Sequence, residues 1–597
     1  MNETSESKFS ASAAGRSSSG QAPAVQSNVG KSNVAMRSPD DVMRLERMGS
    51  YHPMRLSFSR QLLRRMAQEH WSVEIGEWNI DAQGFGHAVI KAVTPDHTYS
   101  LVAFSHDLDE KDRSDRVIAE RWDTTFSLVD GVPDQAAIAM MAETVSKQEA
   151  GRQRDDQLTL SRANKSVRMF SHVIDRLAEG HQPDGKMVND IGYVMRTTAV
   201  YGNGKFGIGD RDRISARPAM LGAFQVEMLT VYLIRHFSLA LIDHLAVVKG
   251  GDKAVKLDRR FARHFGIGNA TGLGMAPFLV HHQALLHCWM ETRELALATV
   301  LSQPSIDEDA GQLISDLVAR AVQYTAQWRV EDKIQMARIT RLEADLSQLQ
   351  SWVADGWWRQ EMPLKTLMDK ATAKLSAEAQ EMLVSILFEP FGALIDDLAP
   401  KMSMVEHTSI NPQVTVGDAV KLIHRDYAWA LALDLDDRRE SELFWYVSEA
   451  KLEPRLGRRF EEDGADQEMP FDIPHQIQAM MPFLAMANPA MSLAEFMLAH
   501  PSTRYVLKRV ITNGKYPYAE IKDNLVAATT RPIDMLRCKL SFFGASKFDP
   551  KSDLWTRITL YQGAPLADEL DETTADNWLF APLEFGQDAH PQYQGDA

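Results

Sequence analysis

Tyr201-Gly-Asn-Gly-Lys-Phe-Gly-Ile-Gly-Asp210 and Gly266-Ile-Gly-Asn-Ala-Thr-Gly-Leu-Gly274 are the stretches whose reading decides the fold. Each precedes a long apolar segment, residues 218–249 after the first and a segment opening at Pro277 after the second. Apolar runs of that length predict two buried core helices, each entered through a glycine-rich loop.

Gly202-Asn-Gly204-Lys-Phe-Gly207 has the letters of a dinucleotide-binding turn, and Thr197-Thr-Ala-Val-Tyr201 ahead of it has strand character. That turn works only when its third glycine packs inside a helix whose N-terminus meets the pyrophosphate. Here Asp210-Arg-Asp-Arg213 and Arg217-Pro218 delay the helix. Glu227 has the spacing of a ribose-binding carboxylate, but it falls inside the expected helix rather than at a strand end. The dinucleotide reading is therefore rejected.

What remains is composition. From 196 to 217, Arg196, Lys205, Arg211, Arg213 and Arg217 stand against only Asp210 and Asp212. Gly202, Gly204, Gly207 and Gly209, with Asn203 between them, let backbone N–H groups come close to a ligand, and arginine forks hold carboxylate or phosphate. The second loop repeats the pattern. Lys253, Lys256, Arg259, Arg260, Arg263 and His264 lead into it, and Gly268, Asn269, Thr271 and Gly272 offer close approach and hydrogen bonds. Pro277 suits a first helical turn, whose free amides favour an anion. The competing reading is that these glycines serve only turns and close helix packing.

These basic loops stand out because the 597-residue chain carries a net charge of −16, which argues against general nucleic-acid binding. Hydrophobic residues at 44% and charged residues at 24% indicate a soluble globular protein of two to four domains or subdomains. Two distant cysteines, Cys288 and Cys538, exclude a disulfide scaffold and fit a reducing, cytoplasmic setting. No signal peptide is expected, since no charged N-terminal run precedes an apolar core. The most apolar stretch, 221–248, contains Gln225, Glu227, Arg235, His236, Asp243 and His244, so a buried helix is expected and not a membrane span.

The expected fold class is mainly α, with a small N-terminal α+β domain, a multi-helical core and a short C-terminal hairpin. Residues 1–49, rich in Ser, Ala, Gly and Asn, read as a disordered tail. Alternating segments at 71–75, 86–93, 98–104 and 117–128, with a helix at 59–70 whose Arg60, Arg64 and Arg65 face outward, read as the α+β domain over 50–133. Helical spacing follows at 134–154 and 158–179, and the helical core runs over 134–400. Residues 307–355 read as two helices or a bent one, and 363–398 as a pair broken at Glu389-Pro390. A mainly helical region spans 401–567, with helix expected at 438–450 and a hairpin from 538–543 and 556–561. Residues 568–597 read as a loosely ordered acidic tail.

Three constellations remain. His287 and Glu291 share a helical face while His281 and His282 diverge, leaving two ligands where a catalytic zinc usually takes three, so no metal site is expected. Ser448 and Lys451 have serine–lysine spacing, but so do Ser5 and Lys8, and the partner motifs are absent. Tyr446, Lys451, Glu453 and Arg455 form a compact acid–base set ending a helix at Pro454, with an ordinary helix end and surface ion pairs as the competing reading. Trp357 and Trp358 read as packing.

The expected function is an enzyme binding an anionic small metabolite, phosphorylated or carboxylated, or a nucleotide-type cofactor. The glycine loops would hold the anion, and Tyr201, Lys205, His281, His282, Tyr446, Lys451 or Glu453 would do acid–base work. Elimination or isomerisation, group transfer and flavin-type redox all stay open, as do the cofactor and homo-oligomerisation. The alternative is a non-catalytic scaffold whose glycine loops are packing devices.

Overall fold

The computed structural model describes residues 34–48, 52–107, 121–147, 156–202, 220, 222, 224–269, 282–328, 330–403, 411–435, 443–447, 454–458, 467–468, 473–522, 532–546, 549–550, 556–570 and 578–580. Its first strands are β1 (Ser72–Ile80), β2 (Gly86–Val93), β3 (Thr98–Ser105), β4 (Thr124–Asp130), β5 (Gln157–Lys165), β6 (Tyr193–Gly202) and β7 (Gly266–Asn269). β8 (Leu443–Val447), β9 (Pro454–Arg458) and β10 (Gln467–Glu468) form a separate sheet in the order β10-β8-β9. β11 (Asp549–Pro550) and β12 (Thr556–Leu560) return to the main sheet, whose order is β1-β2-β3-β4-β5-β6-β7-β12-β11. Within it β6 and β7 run parallel, and the other neighbours run antiparallel.

This topology overturns the expected fold class. The strands over 72–130 are not a small N-terminal domain, because β5, β6, β7 and β12 extend the same sheet to residue 560. The expected C-terminal hairpin also fails: residues 538–543 belong to a helix, Pro532–Phe543, while 556–560 is β12, paired with β7. Residues 158–179 hold a strand and a helix rather than one helix. In β5, Leu160 packs with the apolar cluster on one face of the sheet, while Thr159 on the other face meets Thr230. A strand buried on both faces hides the apolar–polar alternation that would reveal it. β8 likewise occupies part of the expected helix at 438–450.

The helices that matter for the site follow in chain order. α1 (Phe58–Gln68) and α2 (Gln135–Thr144) come first, with α2 setting Ile138 and Met141 on Val89, Val102, Phe104, Val129 and Leu160. α3 (Met169–Ala178) precedes the central helix α4 (Gln225–Gly250), which lies against the other face of the sheet. Phe126 of β4 and Trp78 of β1 place their rings 5.6 and 5.9 Å from that of Phe237 in α4. Leu229, Leu233, Phe237 and Leu241 are fully buried there, each side chain contributing roughly 1.5–3 kcal/mol relative to exposure. By length and composition α4 is apolar enough to cross a membrane, but here it is a core helix mostly buried by the sheet and its neighbours.

α5 (Gln283–Leu301), α6 (Glu308–Thr325), α7 (Lys333–Trp352), α8 (Pro363–Lys374) and α9 (Ala377–Phe388) continue the same core. Trp358 lies on Gly311 and Trp357 Nε1 donates to Ser315 Oγ at 3.2 Å, so both tryptophans are packing residues. A second core joins α10 (Val416–Asp426), α11 (Ile473–Met486) and α12 (Arg504–Lys515) through Ile423, Ile477 and Leu507, with Phe496 of the short helix Leu493–Ala499 packed among them.

Two charged segments behave differently from their local pattern. Residues 34–48, expected in a disordered tail, bury Val42, Met43, Leu45 and Met48 in the main core. Arg60 and Arg64, expected on the outer face of α1, are buried. Arg60 forks onto Glu389 at 2.6 and 2.7 Å, and Arg64 donates to the Arg55 carbonyl at 2.7 Å.

Candidate functional site

The parallel pair defines an edge. β6 ends at Gly202 and β7 at Asn269, with Thr197 opposite Asn269, and the two glycine-rich stretches continue from those ends. The connection between the strands passes through α4, making a β–α–β crossover.

Two contacts fix the direction of α4. Thr230 Oγ1 lies 2.8 Å from Thr159 Oγ1, and Thr159 is opposite Gly202, the last residue of β6. Ser238 Oγ lies 3.5 Å from Met195 Sδ, near the start of β6. The helix therefore runs back along the strand, and its N-terminal turn sits at the edge where β6 ends. In open α/β sheets ligands bind outside the carboxyl ends of parallel strands, where helix N-termini also gather.

Glu227 occupies that first turn. Residues three apart share a helix face, so Glu227 lies on the side of Thr230, one turn further toward the edge. It is 2% exposed, and among the described residues neither carboxyl oxygen has a hydrogen-bond partner on another residue. Burial pushes its carboxyl up to about 7, its own backbone amide offsetting part of the shift. The helix opens at Phe224, a left-handed residue (φ 58°) with no side-chain cap, whose ring is held between Phe58 at 5.3 Å and Phe543 at 4.9 Å. Sequence spacing had flagged Glu227 only as a ribose ligand; its isolation comes from packing, which no local pattern reveals.

The far part of α4 is tied down by Arg235. Its guanidinium donates to the carbonyls of Phe265, Pro565, Ala262, Arg263 and Ala564 at 2.7–3.2 Å, and burial lowers it to about 10. Arg235 thereby joins α4 to the residues entering β7 and to those leaving β12.

The expected site residues divide. Arg196 pairs with Gly268 across the parallel ladder. It stands on the face opposite Met195, which meets α4, so it is turned away from Glu227. A Cβ on Gly268 would lie 2.8 Å from the Tyr193 ring, and one on Gly266 would lie 2.3 Å from the Leu560 carbonyl. Close packing accounts for both glycines. The backbones of Tyr201, Gly202 and Asn269 lie at the strand ends. Asn203, Gly204, Lys205, Gly207, Gly209, Arg211, Arg213, Thr271, Gly272 and His281 lie outside the described residues.

His282 immediately precedes α5, and burial holds it at about 4, neutral near pH 7. His287 accepts from the Tyr518 amide at 3.2 Å and stands 3.5 Å from Glu291, the shared face expected of that pair. Among the described residues no group of three or more His, Cys, Asp or Glu side chains is placed to hold a metal. Tyr446 and Arg455 are opposite each other in the separate β8–β9 pair rather than at a helix end, and Lys451 and Glu453 lie outside the described residues. The structure thus sets Tyr446 and Arg455 in a different sheet from Arg196, Gly202 and Gly268.

Compared with protein-family models, with curated proteins and with solved structures, the chain matches none of them.

Proposed function

We propose that this protein binds a small anionic molecule, phosphorylated or carboxylated, at the edge formed by the ends of β6 and β7 and the first turn of α4. The observation that carries the proposal is the parallel register of β6 and β7, from whose ends both glycine-rich stretches continue. Three further features support it. The 26-residue α4 directs the positive end of its dipole to this edge, which favours an anion by about 0.3–1 kcal/mol. The sequence joining β6 to α4 contains four basic residues, Lys205, Arg211, Arg213 and Arg217, and two acidic ones, Asp210 and Asp212. Burial favours the neutral form of Glu227, which lowers its repulsion of the anion compared with an exposed carboxylate. Arg196 is left out of the binding set because it faces away from α4.

Acid–base chemistry on the bound molecule would fall to Tyr201, Lys205, His281 or His282. Of these, His282 is a neutral imidazole near pH 7 and a weak base, because burial disfavours its protonated form. The test is thermal stabilisation by inorganic phosphate and ethyl phosphate. Both should raise the melting temperature of the wild type, and Lys205→Ala with Arg213→Ala should abolish the rise. Equal melting temperatures with and without each anion would remove the proposal.

A further inference from the structure

We propose that Glu227 is the contact for a positively charged nitrogen, and that the molecule taken at the β6–β7 edge is a small zwitterion with an ammonium beside its phosphate or carboxylate. The inference rests on the anion proposal above and names the second half of the same ligand.

Among the described residues, Glu227 departs from how the buried glutamates Glu294, Glu381, Glu389 and Glu520 are held. Glu294 and Glu381 are held by Arg37, with Arg293 also on Glu381. Glu389 is held by Arg60, and Glu520 by Arg509 with the Tyr427 hydroxyl 2.7 Å away. Glu227 is as deeply buried, yet among the described residues no side chain and no other residue's amide donates to either of its oxygens. Buried acceptors in folded proteins are paired with few exceptions, and an exception calls for a specific explanation.

Its position supplies one. On the helix it is one turn beyond Thr230, whose contact with Thr159 marks the end of β6, so the carboxyl belongs to the sheet-facing side of the turn proposed to meet the anion. An ammonium brings three N–H donors to two empty acceptor oxygens, and its charge stabilises the carboxylate that burial alone disfavours. The helix N-terminus and the carboxyl then divide the ligand, the amide end taking the negative group and Glu227 the positive one. A ligand with no donor would leave Glu227 as isolated as it is now.

The experiment compares two probes that differ by one group, ethyl phosphate and 2-aminoethyl phosphate, titrated calorimetrically into the full-length protein and its Glu227→Gln variant. Glutamine has nearly the same shape and no charge, and the wild-type comparison stands without the variant. A charge-assisted contact predicts that wild type prefers 2-aminoethyl phosphate by roughly ten- to a hundredfold, and that Glu227→Gln binds both alike. Equal affinities in wild type, or a preference that survives in Glu227→Gln, overturn the ammonium contact while leaving the anion proposal standing. Failure of both probes to bind overturns the anion proposal and this inference with it.

Discussion

Thr230 Oγ1 lies 2.8 Å from Thr159 Oγ1, with both side chains fully buried, and this contact sets the first turns of α4 against the end of β6. Thr230 also donates to the Val226 carbonyl at 2.8 Å, so Thr159 supplies the proton of the hydroxyl pair. Replacing either threonine by valine should cost about 1–2 kcal/mol, because one hydroxyl is left buried without its partner. The double valine variant should be less destabilised than the sum of the singles, by about 1 kcal/mol, in urea unfolding. Strict additivity would show that the two hydroxyls do not interact.

Arg235 makes a stronger demand. Its five carbonyl acceptors need a planar fork, which a lysine ammonium cannot imitate. Arg235→Lys should therefore lose more than about 2 kcal/mol despite keeping its charge, and Arg235→Met should fare no better. Denaturant midpoints of the three proteins decide this. A lysine variant as stable as wild type would mean that charge alone is what the site needs.

The N-terminal segment is held by an ion cluster. Arg37 donates to Glu294 at 2.8 Å through two nitrogens and to Glu381 at 2.8 Å, and Arg293 also bonds Glu381. Burial works against the charge on Glu381, but Arg293 and Arg37 outweigh it and hold the carboxyl down to about 2. Its ionised form therefore stabilises the fold above the ordinary glutamate range, and that contribution is lost as pH falls toward 2. Glu381→Gln should destabilise by about 3–5 kcal/mol at pH 7, since it leaves buried arginines uncompensated. Its deficit should shrink on acidification. A deficit independent of pH between 7 and 3 would contradict the assignment.

Glu227 has the opposite sign. Its carboxyl is raised from the ordinary glutamate range to about 7, so the folded protein keeps a proton that the unfolded chain releases. Stability should fall as pH rises from about 4.5 to about 7, by up to roughly 3 kcal/mol from this group, and level off above. Glu227→Gln should be as stable as wild type at low pH and more stable at pH 8. Urea unfolding of both proteins across that range measures the difference, and parallel curves would mean that Glu227 is not isolated.

Local pattern revealed part of this organisation and not the rest. β2 and β3 were legible because their alternating segments are bounded by turn residues, and α4 because its apolar run is long. β7 was not legible: four residues with two glycines read as a loop, and what makes them a strand is pairing with β12, nearly three hundred positions on. Arg60 and Arg64 looked external because Glu389 and the Arg55 carbonyl, which bury them, are set by tertiary contact rather than by spacing. The two glycine-rich stretches were recognisable by composition. That they continue from adjacent parallel strands was not, because strand order is settled by partners far away in sequence. Nor does helical periodicity tell whether Glu227 has a donor.

Hydrogen–deuterium exchange, with and without millimolar ethyl phosphate, tests the central claim most directly, because it locates binding without altering a residue. The anion proposal predicts slowed exchange in peptides covering the end of β6, the first turn of α4, β7 and the start of α5, with α10 to α12 and β8 to β10 unchanged. Protection confined to the β8–β10 region, or no protection anywhere at saturating ligand, would contradict it.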